Sequence, residues 1–302
     1  MFDHNETLTE ARERNIRDAL FEDVGVCDWT AQLVPAGQCV KARLLVREQA
    51  VLCGREWFEG CLFKLDPKAL ITWAYDEGAL MAEGTEVCLI EADARALLTA
   101  ERPGINFVQT LSAVATLTHV HMQAIKGASP NPRGCVVLDT RKTLPGLRLA
   151  QKYAVRVGGG ANQRLALYDG ILIKENHIAA AGSVTNALRN AQALVAAQAQ
   201  PLRDQISIQI EVETLAQLRE ALSAGAVSIL LDNFDLDLMR QAVAINEELT
   251  QGEALLEASG GVTMDQLRGI ASTGVDRISI GKLTKDVKAV DFSLRVLERL
   301  GT

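Results

Sequence analysis

The chain of 302 residues carries a formal charge of −7, with 48% apolar and 4% aromatic residues, the composition of an ordinary soluble α/β protein able to bury one barrel-sized core or two smaller ones. The acidic balance excludes nucleic acid as an expected partner. No run nears the roughly 18 apolar residues that a membrane helix needs, and the opening MFDHNETLTEARERN is unlike a signal or transit peptide, so a cytoplasmic protein with no membrane partner is expected.

In chain order, an amphipathic helix is predicted over about Thr9 to Glu22, followed by strands in VKARLLVRE and EVCLIEA separated by Gly-containing turns, a small mixed α/β domain. From Ala94 to Ile125 the apolar residues recur at helical spacing, with an interruption expected at Pro103-Gly104. Beyond the loop at 127–134, apolar runs alternate with helical stretches: CVVLDTRK, ILIKENH, ISIQIEVET, VSILLDNF, ALLEASGG and DRISIGKLT. Such alternation predicts parallel strands with crossover helices, either as a barrel or as a doubly wound open sheet. The barrel is favoured because Gly158-Gly159-Gly160 follows a helical stretch and forms no G-x-G-x-x-G fingerprint. Polar residues close every run: Asp139/Arg141/Lys142, Lys174/Glu175/Asn176, Glu211/Glu213, Asp232/Asn233, Glu257/Ser259 and Lys282/Thr284. In a parallel barrel they would meet on one face, where such folds build their sites.

The six cysteines form no C-x-x-C pair and have no His at ligand spacing, so reduced, structural thiols are expected in place of disulfides or a zinc site. His119 and His121, two apart on a helix, do not share a face.

Charge is concentrated in one place. Between Thr140 and Lys174 stand Arg141, Lys142, Arg148, Lys152, Arg156, Arg164 and Lys174, with Asp169 the only acid. Interleaved apolar residues and the triple glycine predict a pocket for a small, highly charged anion.

The segments DTRKTLPGLRLAQKYAVRVGGGANQR, LIKENHI, IEVET, LLDNF, EASGGV and ISIGKLT, with EDVGVCDWTAQLV and TAERPGINFVQTLSAVAT upstream, occur in an order that resembles the quinolinate phosphoribosyltransferase family across nearly the whole chain. The resemblance implies an N-terminal α/β sandwich (1–118) and an incomplete, open α/β barrel with parallel strands (119–286), a C-terminal helix (287–302) packing back on the sandwich, and a homodimer with shared sites or a higher oligomer. The implied reaction joins quinolinate to phosphoribosyl pyrophosphate, releasing pyrophosphate and CO2 and leaving nicotinate mononucleotide. Residue by residue, Arg141, Gln163, Arg164 and Lys174 would hold quinolinate together with Arg102 of the partner subunit. Lys142, Glu211, Asp232, Ser259, Gly260, Gly261, Gly281 and Lys285 would hold the phosphoribosyl donor. Lys142, Glu211 and Asp232 would be catalytic, with Mg2+ near the two acids, held largely through substrate and water.

These assignments make chemical sense. Guanidinium binds carboxylate in a bidentate fork, and ammonium supplies a point charge for phosphate. Carboxylates stabilise the positive charge that grows on the ribose ring as pyrophosphate leaves, and Gly lets backbone N–H groups surround a phosphate. The bland alternatives are surface ion pairs for the cations and helix capping for Glu211 and Asp232. The chain departs from the family at Gln163, where a His is common, and at Cys27, where a Gly is common. Three other readings stay open: a relative acting on another anionic acceptor, an aldolase-type barrel using Lys174 or Lys142 as a Schiff-base nucleophile, and a non-catalytic anion-binding protein.

Overall fold

The computed structural model describes residues 4–300. In chain order its elements begin with α1 (Leu8–Val24), β1 (Cys39–Val46), β2 (Ala50–Val51), α2 (Arg55–Phe63), β3 (Leu70–Trp73), β4 (Leu80–Met81), β5 (Glu86–Asp93) and α3 (Ala94–Ile125). There follow β6 (Val136–Leu138), α4 (Arg148–Val157), β7 (Gly170–Ile173), α5 (Glu175–Ala181), α6 (Val184–Ala196), α7 (Leu202–Gln205), β8 (Ser207–Val212) and α8 (Leu215–Ser223). The chain continues through β9 (Ser228–Asp232), α9 (Leu236–Thr250), β10 (Leu255–Ser259), α10 (Met264–Ala271), β11 (Arg277–Ser279), α11 (Lys282–Lys285) and β12 (Phe292–Arg299). No helix among the described residues is long and apolar enough to cross a membrane.

The elements form two compact units. The first takes the chain up to His119, then Thr143–Gly159, then everything from Lys282; the second takes Val120–Lys142 and Gly160–Gly281. The catalytic domain expected at 119–286 is therefore not one continuous segment: α4 and α11 group with the first unit.

In the first unit, β1 alternates in burial, so that Val40, Ala42, Leu44 and Val46 face inward as a period of two requires. The antiparallel sheet has the order β12-β1-β5-β3. Its inner face packs with α2, α3 and α4 through Trp57, Phe58, Leu97, Ile105, Leu111, Ala150 and Val155 in one apolar cluster. The start of α1 is fixed by a capping box, in which Thr7 N–H donates to Glu10 Oε2 at 2.8 Å. Two expectations fail here. The stretch expected as a C-terminal helix is strand β12, paired antiparallel with β1 from Phe292↔Val46 to Arg299↔Val40; positions 301 and 302 of that expected helix lie outside the described residues. Phe292, Leu294 and Val296 alternate, and β1 offers an unfilled edge whose backbone groups a helix could not satisfy. The second is α3, which runs unbroken through Pro103 for 32 residues. One lost backbone bond is outweighed by burial along that length, and Gly104 lets Phe58 pack close, since a Cβ there would lie 3.0 Å from its ring.

The second unit is a six-stranded, all-parallel sheet in the order β6-β11-β10-β9-β8-β7. Its strand interiors are continuous apolar runs, as sheets covered by crossover helices require: Ile210, Ile229, Leu231, Leu256, Ala258 and Ile278 are all buried. The end strands β6 and β7 do not pair with each other, and Ala161 instead makes a single parallel bridge to Leu138 of β6. This is the incomplete α/β barrel.

Candidate active site

The polar residues that close the strands of the second unit do gather at their C-terminal ends, but in distinct pairs. Lys174 follows β7 at the N-cap of α5, where its N–H donates to His177 Nδ1 at 3.0 Å. Its Nζ lies 2.9 Å from Oε2 of Glu211, on the neighbouring strand β8. That hydrogen bond, more than the charges of Glu211, Glu175 and Asp232, raises the proton affinity of Lys174 above the ordinary lysine value. Glu211 is largely buried while Lys174 is about half exposed, so a cation reaches outward from an anchored carboxylate.

The capping alternative for the two acids is not what the fold uses. Thr214 caps α8 and Asp235 caps α9, each accepting a backbone N–H through its side chain. Glu211 and Asp232 each stand three residues earlier, in the last two positions of their strands, and Asp232 Oδ2 accepts from Asn233 Nδ2 at 3.0 Å.

Ser259 ends β10, paired with Asp232, and Gly260 and Gly261 follow it. A Cβ on Gly260 would lie 2.4 Å from Asn233 Oδ1, and its φ of +108° suits only glycine; the loop thus presents backbone directly against the end of β9. Gly281, after β11, serves Lys142 in the same way: a Cβ there would come within 2.9 Å of the lysine Cδ. Lys142 N–H donates to Thr140 Oγ1 at 3.1 Å, turning the chain out of β6.

Arg141 and Arg164 come close enough to repel. The guanidinium of Arg164 has its proton affinity lowered, first by burial and then by the charge of Arg141, and its Nη1 donates to Gly170 O at 3.0 Å. Two cations held near each other favour a dianion between them. The loop that carries Arg164 is closed by Asp169, which accepts from Leu165 N at 2.7 Å and Ala166 N at 2.8 Å. Gln163 is tied inward: its Nε2 donates to Gln209 Oε1 at 2.6 Å and its Oε1 accepts from Arg164 N at 2.6 Å.

The basic island is divided. Arg148, Lys152 and Arg156 belong to α4 of the first unit, where Lys152 is buried with 1% exposure. Lys285 also groups with the first unit and pairs with Asp286 at 3.7 Å. Arg102 lies on α3 of that unit, mostly exposed, 3.8 Å from Glu101. Of the cysteines, Cys53, Cys61 and Cys88 are buried in the first unit; burial pushes the Cys61 thiol up to about 12 and those of Cys53 and Cys88 upward too.

Gln209 escaped the sequence reading, and Glu257, read there as closing a strand, sits elsewhere. Glu257 belongs inside β10, not at its end, and is 1% exposed; Gln209 lies inside β8 and donates from Nε2 to Glu257 Oε2 at 2.8 Å. The signal was there, since each interrupts an apolar strand run. A cavity of about 690 Å³ lies beside them, lined by Gln163, Arg164 and Gln209 and by the first residues of four strands, Ser207, Ser228, Leu255 and Arg277. Lys174, Glu211 and Asp232 are not among the residues that line it.

The chain matches the quinolinate phosphoribosyl transferase N-terminal domain over residues 28–112 and the C-terminal domain over residues 114–295. It is 39% identical over 292 residues to the nicotinate-nucleotide pyrophosphorylase (carboxylating) of Mycobacterium leprae, covering 94% of this chain and 97% of that protein. It is 35% identical to the mitochondrial quinolinate phosphoribosyltransferase (decarboxylating) 2a of Nicotiana tabacum, covering 92% of this chain and 80% of the relative. The structure of the nicotinate-nucleotide pyrophosphorylase of Francisella tularensis superposes with a TM-score of 0.87 at 37% identity, over 98% of this chain and 100% of that one. With both domain matches in order, relatives covered along almost their whole length and the same fold beneath them, the chain belongs to the quinolinate phosphoribosyl transferase family.

Proposed function

We propose that this protein transfers the phosphoribosyl group of phosphoribosyl pyrophosphate to quinolinate with decarboxylation, yielding nicotinate mononucleotide, pyrophosphate and CO2 on the de novo route to NAD. The observation that carries the reading is Lys174 held 2.9 Å from Glu211 at neighbouring strand ends, with Asp232 on the next strand, in a chain of this family. A protein that only captured anions would gain nothing from the two acids.

In this reading Arg141, Arg164 and Lys174 take the two carboxylates of quinolinate, which the repulsion between the arginines favours. The bond from the anomeric carbon to pyrophosphate breaks and the ring nitrogen bonds that carbon. Glu211 and Asp232 stabilise the positive charge on the ribose as this happens. Ser259, Gly260, Gly261 and Gly281 offer backbone N–H groups to phosphate, with Lys142 beside Gly281. The carboxylate next to the ring nitrogen then leaves as CO2, its electron pair staying on that ring carbon beside the cationic nitrogen until a proton from water takes its place; Lys142 orients the departing group.

Glu211 and Asp232 would also hold Mg2+, which neutralises charge on the leaving pyrophosphate when bound. Hard carboxylate oxygens suit that ion. Among the described residues no three His, Cys, Asp or Glu side chains converge, so substrate and water would complete its shell. We further assign a homodimer in the cytoplasm, with Arg102 of the partner subunit reaching the acceptor. Support comes from the exposure of Arg102 and of the large apolar side chains Phe21, Val26, Trp29 and Leu33.

The test is to incubate the pure protein with quinolinate, phosphoribosyl pyrophosphate and Mg2+ and to follow nicotinate mononucleotide, with nicotinate as a parallel acceptor. Turnover of quinolinate alone is expected, and no turnover would overturn the reading. Mixing the inactive variants Arg102→Ala and Lys174→Ala should restore part of the activity if sites are shared between copies.

A further inference from the structure

Gln209 and Glu257 occupy positions where stability alone would place apolar side chains. Their strand neighbours Ile210, Ile229, Leu256 and Ala258 are fully buried and apolar, while Gln209 is 7% and Glu257 1% exposed. A buried polar network adds little net stability over a well-packed apolar substitute, so its presence asks for another reason.

The hydrogen bonds have one direction. Arg164 N–H donates to Gln163 Oε1 at 2.6 Å, Gln163 Nε2 to Gln209 Oε1 at 2.6 Å, and Gln209 Nε2 to Glu257 Oε2 at 2.8 Å. Every donor points toward Glu257, and such chains polarise cooperatively. Glu257 ends the chain as an acceptor. Burial raises its pKa against the opposing influence of Gln209, Ser279, Arg277 and Gln163, which all face it, and its Oε1 meets no hydrogen-bond partner among the described residues. The same loop is held from its other side by Asp139, fully buried, which accepts from Gln163 N at 3.0 Å and from Asn162 Nδ2 at 2.5 Å.

We propose that Gln209 and Glu257 are positioning residues for the acceptor: through Gln163 they fix the main chain at Arg164, so that its guanidinium is set in advance for a carboxylate of quinolinate. This rests on the function proposed above. Neither residue touches substrate; they act by holding the arginine that does.

The experiment measures KM for both substrates, kcat and Tm in wild type, Gln209→Met, Glu257→Met and Glu257→Gln. Both Met variants should raise KM for quinolinate about tenfold, leaving KM for phosphoribosyl pyrophosphate within about twofold and Tm nearly unchanged. Glu257→Gln keeps an acceptor oxygen for Gln209 and should behave as wild type. The inference is overturned by an unchanged quinolinate KM in Gln209→Met, by both KM values rising together with a lowered Tm, or by Glu257→Gln failing like Glu257→Met. Should Gln209→Met not fold, Gln209→Asn, too short to bridge, carries the same expectation. Absence of wild-type turnover removes the acceptor reading and this inference with it, whereas wild-type turnover with an unaffected Gln209 variant removes the inference alone.

Discussion

The interiors of the two units are built to different ends. The first is filled by Trp57, Leu44, Leu52, Leu62, Met81, Ile90 and Leu97, and among the described residues it buries no carboxylate. Among its buried polar groups Ser112 accepts from Cys53 N at 2.9 Å and Gln151 donates to Thr284 O at 2.7 Å, each tying backbone together across the unit. The second buries Asp139, Glu257 and Asp276. Asp276 serves the fold, accepting from Asn131, Arg133 and Leu256 N, while the other two hold the loop that carries Arg164. A core of hydrocarbon secures persistence, and a core threaded with amides and acids secures the orientation of one loop. Damage to the first should therefore register as stability and damage to the second as activity.

The sharpest test of that contrast is Trp57→Ala. Trp57 is buried, stacks 5.6 Å from Tyr153, lies under Arg12 and donates to Asn15 Oδ1 at 3.3 Å. Its loss should lower unfolding free energy by about 3–5 kcal/mol in denaturant titration, with the quinolinate KM of the folded fraction unchanged. Glu211→Gln should do the reverse, lowering kcat about a hundredfold while Tm stays within a few degrees. Gly260→Ala comes next. Strain at φ +108° and the clash with Asn233 should raise KM for phosphoribosyl pyrophosphate about tenfold and leave that for quinolinate alone. If any of these moved stability and activity in equal proportion, the division of labour would be wrong.

The smallest effect concerns pH. Burial holds the Glu257 carboxyl above its ordinary value of 4.5. A raised folded pKa means stability that is fully present below the unfolded value and lost as pH climbs through the folded one. Thermal scans of wild type and Glu257→Gln from acid toward neutral pH should show the wild type losing ground relative to the variant. A difference in Tm that stayed constant across that window would contradict a carboxyl raised by burial.

Much of this is legible in the sequence. Runs such as VSILLDNF and ALLEASGG read as buried parallel strands because both faces of such a sheet are covered, and Glu211, Asp232 and Lys174 stood out as polar residues closing those runs. What stayed hidden depended on neighbours remote in sequence. In FSLRVLER the spacing of Leu294 and Leu297 suits a helix as well as Phe292, Leu294 and Val296 suit a strand, and only the edge of β1 decides. Lys152 looks like its basic neighbours until α4 is assigned to an apolar core. Gln209 and Glu257 are visible as interruptions, but their connection to Arg164 follows from strand order and from a loop that the pattern of apolar residues does not describe.

The place of β12 bears on how the molecule is made. β1 lies between β12 and β5, yet every strand of the parallel sheet leaves the ribosome before β12 does. The growing chain can thus complete its parallel sheet while one edge of the antiparallel sheet is still bare, and open edges invite pairing with other chains. Biogenesis would then be most fragile in the interval before β12 arrives, when a nascent chain can still be captured by another copy's β1.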